Sequence, residues 1–498
     1  MNLVFRLNRD RKTFRALLAG LALAFGFAHN WWPIAVLAIA WLYRLLTWQS
    51  FKQRLLTVSM FGLAFFGAHL WWMKALGIDA WILITLLCIF SFSVIAIAPI
   101  HRGSRLSKFE FAGLWLLAEL IRGSVPWGGF KWGFIAYTTA GSSISYLGRI
   151  GGTALITLVL VLIATAVAEI FQGKVIRRTV LILSTLFLAS LLSSGSTTQS
   201  IRVGIVQGGE VAHSISEYQR PDAVLQQQIA LTRANSDRLA QTDLVIWPEN
   251  SVNLISTEDN NSRLIQEIVN QVNKPFLIGA VLEPIGAAPQ NVALLWVPQN
   301  GVQQIYVKQH LVPFGEYLPL RNLLASKIGR FDQIPRDFRS GSGGGLIELN
   351  GTKLGVAICF EVADQAHLSD LARSGGEILL GLSNSSTYLG TSQPGQQFQI
   401  SRFSTAIHNR AMAVVTTTGV SGVIDSDGRV IAVTNSPRST VMTIDLPRVS
   451  AVTFADRHQL GLHYMIIFLI ALLLINRVRR SLQEGMEHRI YAASKVGE

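Results

Sequence analysis

The chain has 498 residues, half of them hydrophobic and only 15% charged, an apolar excess that argues against an ordinary soluble protein. Its length calls for at least two structural units. Its formal charge of +13 sits in short clusters beside apolar runs, which fits membrane topology and argues against a nucleic-acid partner. The two cysteines, Cys88 and Cys359, lie too far apart for a disulfide framework or a cysteine-based zinc site. Cys88 reads as an inert packing residue, and neither a metal nor a cofactor is expected.

Seven apolar segments precede residue 195, at 17–28, 32–43, 55–73, 80–100, 111–121, 152–170 and 180–192, and an eighth lies at 464–475. Arg6, Arg9, Arg11, Lys12 and Arg15 precede the first pair, and Arg44, Lys52 and Arg54 follow it. Two crossings put both clusters on one face, as the positive-inside rule requires. Carried along the chain, the same rule places 19 Lys/Arg inside and only Lys74, Arg122, Lys131 and Arg149 in the short outer loops. The pattern predicts about eight transmembrane helices, with residues 196–461 outside and both termini in the cytoplasm. The first run is read as a retained helix, because six more follow before the large domain. Glu119 and Arg122 are spaced to pair on one helix face as a structural ion pair. Residues 125–132 are aromatic and turn-rich, suited to a headgroup belt or a re-entrant lip where lipid enters.

Residues 193–200 form a polar linker, after which the texture changes. Strands are predicted at 201–206, 244–247, 276–281, 292–297, 304–307, 346–349, 354–359, 378–382, 414–417, 422–425, 430–433 and 440–445. Helices are predicted at 224–239, 262–272 and 397–411. Such mixing indicates a layered α/β domain. The expected division is 1–195 for a seven-helix membrane domain, 196–461 for the α/β domain, and 462–498 for a last helix with a basic tail. The Gly-rich stretch 341–345 reads as a flexible loop, since no phosphate-loop context surrounds it.

Three strands in this domain are each followed at once by a reactive side chain: Glu249 in Trp247-Pro248-Glu249, Lys308 in Tyr306-Val307-Lys308, and Cys359 in Ile358-Cys359-Phe360-Glu361. A rigid scaffold presents catalytic groups at such places. A thiol is mostly protonated at neutral pH and needs a base or a cation. Glu249 can take its proton, and Lys308 can stabilise both the thiolate and an oxyanion on a substrate carbonyl. Backbone N–H groups after Cys359 can add to that oxyanion hole.

The order Trp-Pro-Glu, then Lys308-Gln309-His310-Leu311-Val312-Pro313-Phe314-Gly315-Glu316-Tyr317-Leu318-Pro319, then Cys359-Phe360-Glu361 resembles the carbon–nitrogen hydrolase (nitrilase) superfamily. Within it, the pattern resembles the apolipoprotein N-acyltransferases over nearly the whole chain. The resemblance implies a polytopic α-helical membrane domain joined to an extracytoplasmic α-β-β-α sandwich with a Glu249–Lys308–Cys359 triad. It further implies supporting roles for Glu316, Glu361 and Asn384, and a substrate-facing role for Phe360. The implied reaction moves an acyl chain from a membrane phospholipid to Cys359, then to the α-amine of a diacylated apolipoprotein at the periplasmic side of a bacterial inner membrane. Gln207-Gly208-Gly209 stands where that family usually reads Gln-Gly-Asn, Ile215-Ser216 replaces a Lys-Trp pair, and Asn384-Ser385-Ser386 replaces Asn-Asp. The alternatives are a membrane-tethered amidase that uses water as acceptor and an inactive lipoprotein-binding module. Residues 387–398, rich in Gly, Ser, Gln and Pro, read either as an ordinary surface loop or as a gate opening toward the membrane.

Overall fold

The computed structural model describes residues 2–97, 100–101, 105–170, 184–185, 188, 191, 199–209, 220–324, 336–434, 437–459, 461–462, 464–473, 475–476 and 479. Most of the expected span at 180–192, the Ile215-Ser216 pair and the basic tail lie outside the described residues.

The apolar runs of the N-terminal part become helices α1 (Asn2–Ala28), α2 (Trp32–Leu45), α3 (Phe51–His69), α4 (Ile78–Phe92), α5 (Arg105–Ser124) and α6 (Gly148–Ile170). Proline in the first turn opens α2, where its missing N–H costs nothing. At the start of α3, Ser50 N donates to Gln53 Oε1 at 3.1 Å, half of a capping box. Among the described residues, two helical stretches are long and apolar enough to cross a membrane, Ile78–Ile97 with 20 residues and Ser143–Glu169 with 27. Trp32–Leu45 and Tyr464–Leu473 are apolar but shorter.

The expected Glu119–Arg122 pairing does not form. Both residues are buried between helices, where other partners claim them. Glu119 accepts from Trp115 Nε1 (3.3 Å), Ile135 N (2.8 Å) and Thr157 Oγ1 (2.8 Å). Arg122 donates to Gly133 O at 3.1 Å and lies over the rings of Phe66 and Phe134.

Beyond the linker, two six-stranded sheets lie face to face. The first runs β12-β1-β2-β3-β4-β5 and the second β11-β10-β9-β8-β7-β6. The strands are β1 (Ser200–Gln207), β2 (Leu244–Leu254), β3 (Phe276–Leu282), β4 (Gln290–Val297), β5 (Gly301–Val307), β6 (Leu346–Leu349), β7 (Thr352–Ile358), β8 (Ile378–Ser383), β9 (Ala411–Thr416), β10 (Gly422–Ile424), β11 (Val430–Val433) and β12 (Thr440–Pro447). Residues such as Val203, Ile246, Leu277, Val356, Leu380 and Val415 fill the space between the sheets. Helices α7 (Arg220–Ala234) and α8 (Asn260–Val272) cover the outer face of the first sheet through Leu225, Ile229, Ile265 and Val269. Helices α9 (Gln365–Arg373) and α10 (Gln393–His408) cover the second. The layers are thus α-β-β-α. Strands buried on both faces read as near-continuous apolar runs, which is why each is visible in the sequence.

Several boundaries differ from the sequence reading, and two of these differences, together with one helix that was not expected, bear on the site. β2 continues to Leu254, with its pairing to β3 broken between Trp247 and Val252 and Asn250 at φ 55°. Glu249 therefore stands in a bulge inside a strand rather than after its end. Helix α10 begins at Gln393, with proline in its first turn, so the loop before it shrinks to the few residues around Tyr388. Helix α9 was not anticipated; Asp364 caps it by accepting from Ala366 N at 3.1 Å.

The two parts share one core. Ala363, Ile400, Phe403 and Ile407 pack in the same cluster as the buried residues of α1 to α6. Arg149, at the start of α6, donates to Ala406 O, Ser426 O and Asp427 Oδ1, each at 2.8 Å. Lys131 pairs with Asp364.

Candidate active site

Glu249, Lys308 and Cys359 come from different strands and converge at one end of the sandwich. The β2 bulge turns Glu249 inward, and it needs space on the neighbouring strand. A Cβ at Gly279 of β3 would meet Pro248 O at 2.4 Å and Glu249 Cα at 2.6 Å, so only glycine fits there. Glu249 Oε1 accepts from Asn291 Nδ2 at 2.7 Å and Oε2 from Asn384 N at 2.7 Å. The Lys308 ammonium stands 3.8 Å from Glu249 Oε1 and 2.9 Å from both oxygens of Glu316. Asn291 Nδ2 also donates to Glu316 Oε1 at 2.9 Å, so one amide ties the two carboxylates together.

Cys359 opens the 3-10 turn Cys359–Ala363 directly after β7, with φ at 55°. A non-glycine residue in this region is strained, and such strain collects at functional sites. Its thiol lies within the electrostatic reach of Glu249 and Lys308. Its carbonyl accepts from Gln397 Nε2 at 3.2 Å.

Charge is arranged asymmetrically. Burial, then the Glu249 charge, push the Cys359 thiol well above its ordinary range, with Lys308 opposing. Burial also raises Glu249, against the pull of Lys308. For Lys308, burial works toward neutrality, but Glu316 and Glu249 overcome it and hold the ammonium protonated. A neutral thiol thus faces a carboxylate that is a stronger base than usual, beside a permanent cation.

Glu361 ties the strand ends together. It accepts from Tyr306 OH (2.9 Å), Gln309 N (2.8 Å), His310 N (3.0 Å) and Ile358 N (2.8 Å). Despite burial, the His310 side chain, then the charges of His367 and Lys308 and the Ile358 N–H, bring its carboxyl down to about 2. His310, Glu361 and His367 lie close enough to surround a metal ion. Glu361 is filled by donors, His367 Nε2 faces Val356 O at 3.2 Å, and the His310 ring stands 3.7 Å from Glu361 Oε1 and 3.6 Å from Asp364 Oδ2.

Phe360 faces the helical part, stacked on Phe130 (6.4 Å, 15°) and Trp132 (6.2 Å, 13°). Tyr388 lies edge-on to Trp72 at 5.2 Å, and Gln396 Oε1 accepts from the indoles of Trp72 (3.1 Å) and Trp132 (2.6 Å). The Asn384 side chain turns away, its Oδ1 accepting from Thr417 Oγ1 and Ser386 N; its backbone N–H is what reaches Glu249. Sequence reasoning missed Asn291, Tyr306, Gln397 and Gly279. Only Asn291 left a signal, as one of two amides, with Gln290, at the head of a buried apolar strand.

A layered α-β-β-α sandwich in which a carboxylate, an ammonium and a thiol converge is an arrangement suited to acyl transfer through a thioester. The chain matches the carbon-nitrogen hydrolase family over residues 202–455, more than half its length, and it belongs to that family. Residues 19–166 match the apolipoprotein N-acyltransferase N-terminal domain. The chain is similar to the apolipoprotein N-acyltransferase of Pseudomonas syringae pv. tomato, 28% identical over 346 residues, 65% of each chain. That of Mycolicibacterium smegmatis is 29% identical over 245 residues, 47% of this chain and 41% of the relative. The matched part spans less than two thirds of either relative. A solved carbon–nitrogen hydrolase from Helicobacter pylori G27 aligns at 14% identity with a TM-score of 0.39, covering 54% of this chain and 94% of that one.

Proposed function

We propose that this chain is a membrane N-acyltransferase that takes a fatty acyl group from a phospholipid and delivers it to the N-terminal amine of a diacylated apolipoprotein. The observation that carries the reading is the Glu249–Lys308–Cys359 cluster opening onto the aromatic residues of an apolar helical domain. A soluble amide substrate would need no such neighbour.

In the reaction, Glu249 takes the Cys359 proton and the thiolate attacks the ester carbonyl of the lipid. Lys308, and backbone N–H groups after Cys359, stabilise the oxyanion. Collapse expels the lysophospholipid alkoxide, which leaves with the proton from Glu249, and a thioester remains. The neutral α-amine then attacks the thioester, Glu249 receives the amine's proton, and the cysteine departs as thiolate. An amide is released and the thiol is restored. Glu316 keeps Lys308 charged and placed, Glu361 holds the Lys308 and Cys359 loops in register, Asn384 N–H orients Glu249, and Phe360 guides the acyl chain. The reading includes a multi-pass bacterial inner-membrane enzyme divided near residues 195 and 461, with its catalytic domain on the periplasmic side.

The test is purified protein with radiolabelled phospholipid. A thioester on Cys359, absent in Cys359→Ala and discharged onto a diacylated peptide, is expected. Discharge onto water alone would replace the transferase by an amidase-type hydrolase, and no thioester at all would leave only a binding module.

A further inference from the structure

β11 is apolar along its whole length, Val430-Ile431-Ala432-Val433, and among the described residues it is an edge strand paired only with β10. Val430, Ile431 and Val433 are 38%, 46% and 51% exposed, so aliphatic side chains project from both faces of the strand. Edge strands that meet water are usually blunted by charge or proline, because an apolar edge invites association. β11 carries neither.

What precedes β11 fixes its position. The turn Asp425–Arg429 is gripped by Arg149 through Ser426 O and Asp427 Oδ1. A Cβ at Gly428 would lie 2.8 Å from Arg402 O and 3.6 Å from Gly141 N, so the turn presses on the segment leading into α6. Arg149 is three residues before Gly152, the kink beyond which α6 is helical and apolar. Its neighbour Ile150 is 43% exposed. At about 3.3 Å per residue, Val430 lies within roughly 10 Å of Asp427 and Val433 within roughly 20 Å. Interfacially bound apolar faces sink about 5–10 Å into the headgroup boundary. The exposed Arg429 beside them is suited to reach lipid phosphate while its stem stays apolar.

We propose that the β10–β11 hairpin is a lipid-contacting surface, with Val430, Ile431 and Val433 seated in the bilayer interface beside the N-terminal end of α6. The catalytic domain is then held to the bilayer at a point remote from Cys359 in sequence, independently of the helices. The proposal rests on reading α4 and α6 as membrane-spanning, and the test separates the two ideas.

Full-length Cys88→Ala/Cys359→Ala protein in phospholipid nanodiscs would carry one further cysteine, Ile431→Cys, Phe90→Cys on the exposed face of α4, or Ile285→Cys on the exposed β3–β4 turn. Each is labelled with bimane and mixed with lipid bearing a nitroxide near the carbonyl or deep in the chain. Loss of fluorescence is expected at Ile431→Cys with the shallow quencher and at Phe90→Cys with at least one quencher, with none at Ile285→Cys. Quenching at Phe90→Cys but not at Ile431→Cys overturns the hairpin contact alone. No quenching at either overturns the membrane reading beneath it. Equal quenching at Ile285→Cys, or Ile431→Cys protein that forms disulfide dimers without quenching, assigns the edge to non-specific adsorption or to a second copy and overturns the proposal.

Discussion

Asn291 donates a single amide nitrogen to Glu249 and to Glu316, while Lys308 faces the same two carboxylates. Two anions side by side, one of them buried, repel each other, and a neutral donor shared between them reduces that cost without adding charge. A hydrogen bond to a charged group contributes about 1.5–3 kcal/mol. Asn291→Ala is therefore expected to slow acylation of Cys359 about 10- to 100-fold, read as the initial burst of lysophospholipid, with binding of lipid little changed. The same cluster predicts a pH dependence. Glu249 must be ionised to act as base, and burial raises its pKa above 4.5, so acylation should fall as pH drops through a value higher than an ordinary carboxyl would give. Glu316 contributes part of that rise through its negative charge. In Glu316→Gln the acid limb should therefore move to lower pH, even if the maximal rate drops because Lys308 loses a partner. An acid limb that stays in place or moves up would show that another group sets it.

At the scale of elements, the twelve strands of the sandwich stand where the sequence reading expects them, because each is a short apolar run closed by turn residues. The register and the bulge of β2 are different in kind. They depend on Asn250 at φ 55° and on Gly279 in the next strand, residues that become neighbours only after folding. The sequence pattern therefore ended the strand at Trp247 and left Glu249 outside it. Asn291 and Gln397 were missed for the same reason, since their partners lie 42 and 38 residues away. Helix α9, nine residues long, was too short to show a clear period. Gly279→Ala tests the bulge directly. Its methyl would strike the backbone of Pro248 and Glu249, which cannot yield as a flexible side chain would. A loss of about 1–3 kcal/mol in stability is expected from such overpacking, with a drop in acylation rate greater than that of a comparable Gly→Ala change away from β2. Wild-type acylation in Gly279→Ala would mean that Glu249 needs no bulge.

At the scale of the whole molecule, topology and docking constrain each other. Charge counting assigns Lys131 and Arg149 to outer loops, and both contact the domain that the same counting places outside, at Asp364 and Asp427. Helix α6 leaves Arg149 and reaches Glu169, where Lys108 pairs with it at 2.7 Å. Beyond the kink at Gly151 and Gly152, residues 153–169 rise about 25 Å at 1.5 Å each, most of the thickness of a hydrocarbon core. One ion pair thus sits at each end of the helix, with Lys108 among the basic residues assigned to the inner face. Removing one partner of a buried pair commonly costs about 3–5 kcal/mol. Arg149→Met should accordingly lower the melting temperature in detergent, and adding Asp427→Asn should cost less than it does alone. The topology itself predicts that a reporter fused after Ser196 is active only outside the cytoplasm, and one fused after Glu498 only inside. An odd number of crossings before residue 196 is required for that result, and one more is required after the sandwich. Reporters active on the same side would break the eight-span arrangement. They would leave the contacts of Lys131 and Arg149 as ties within a differently threaded helical domain.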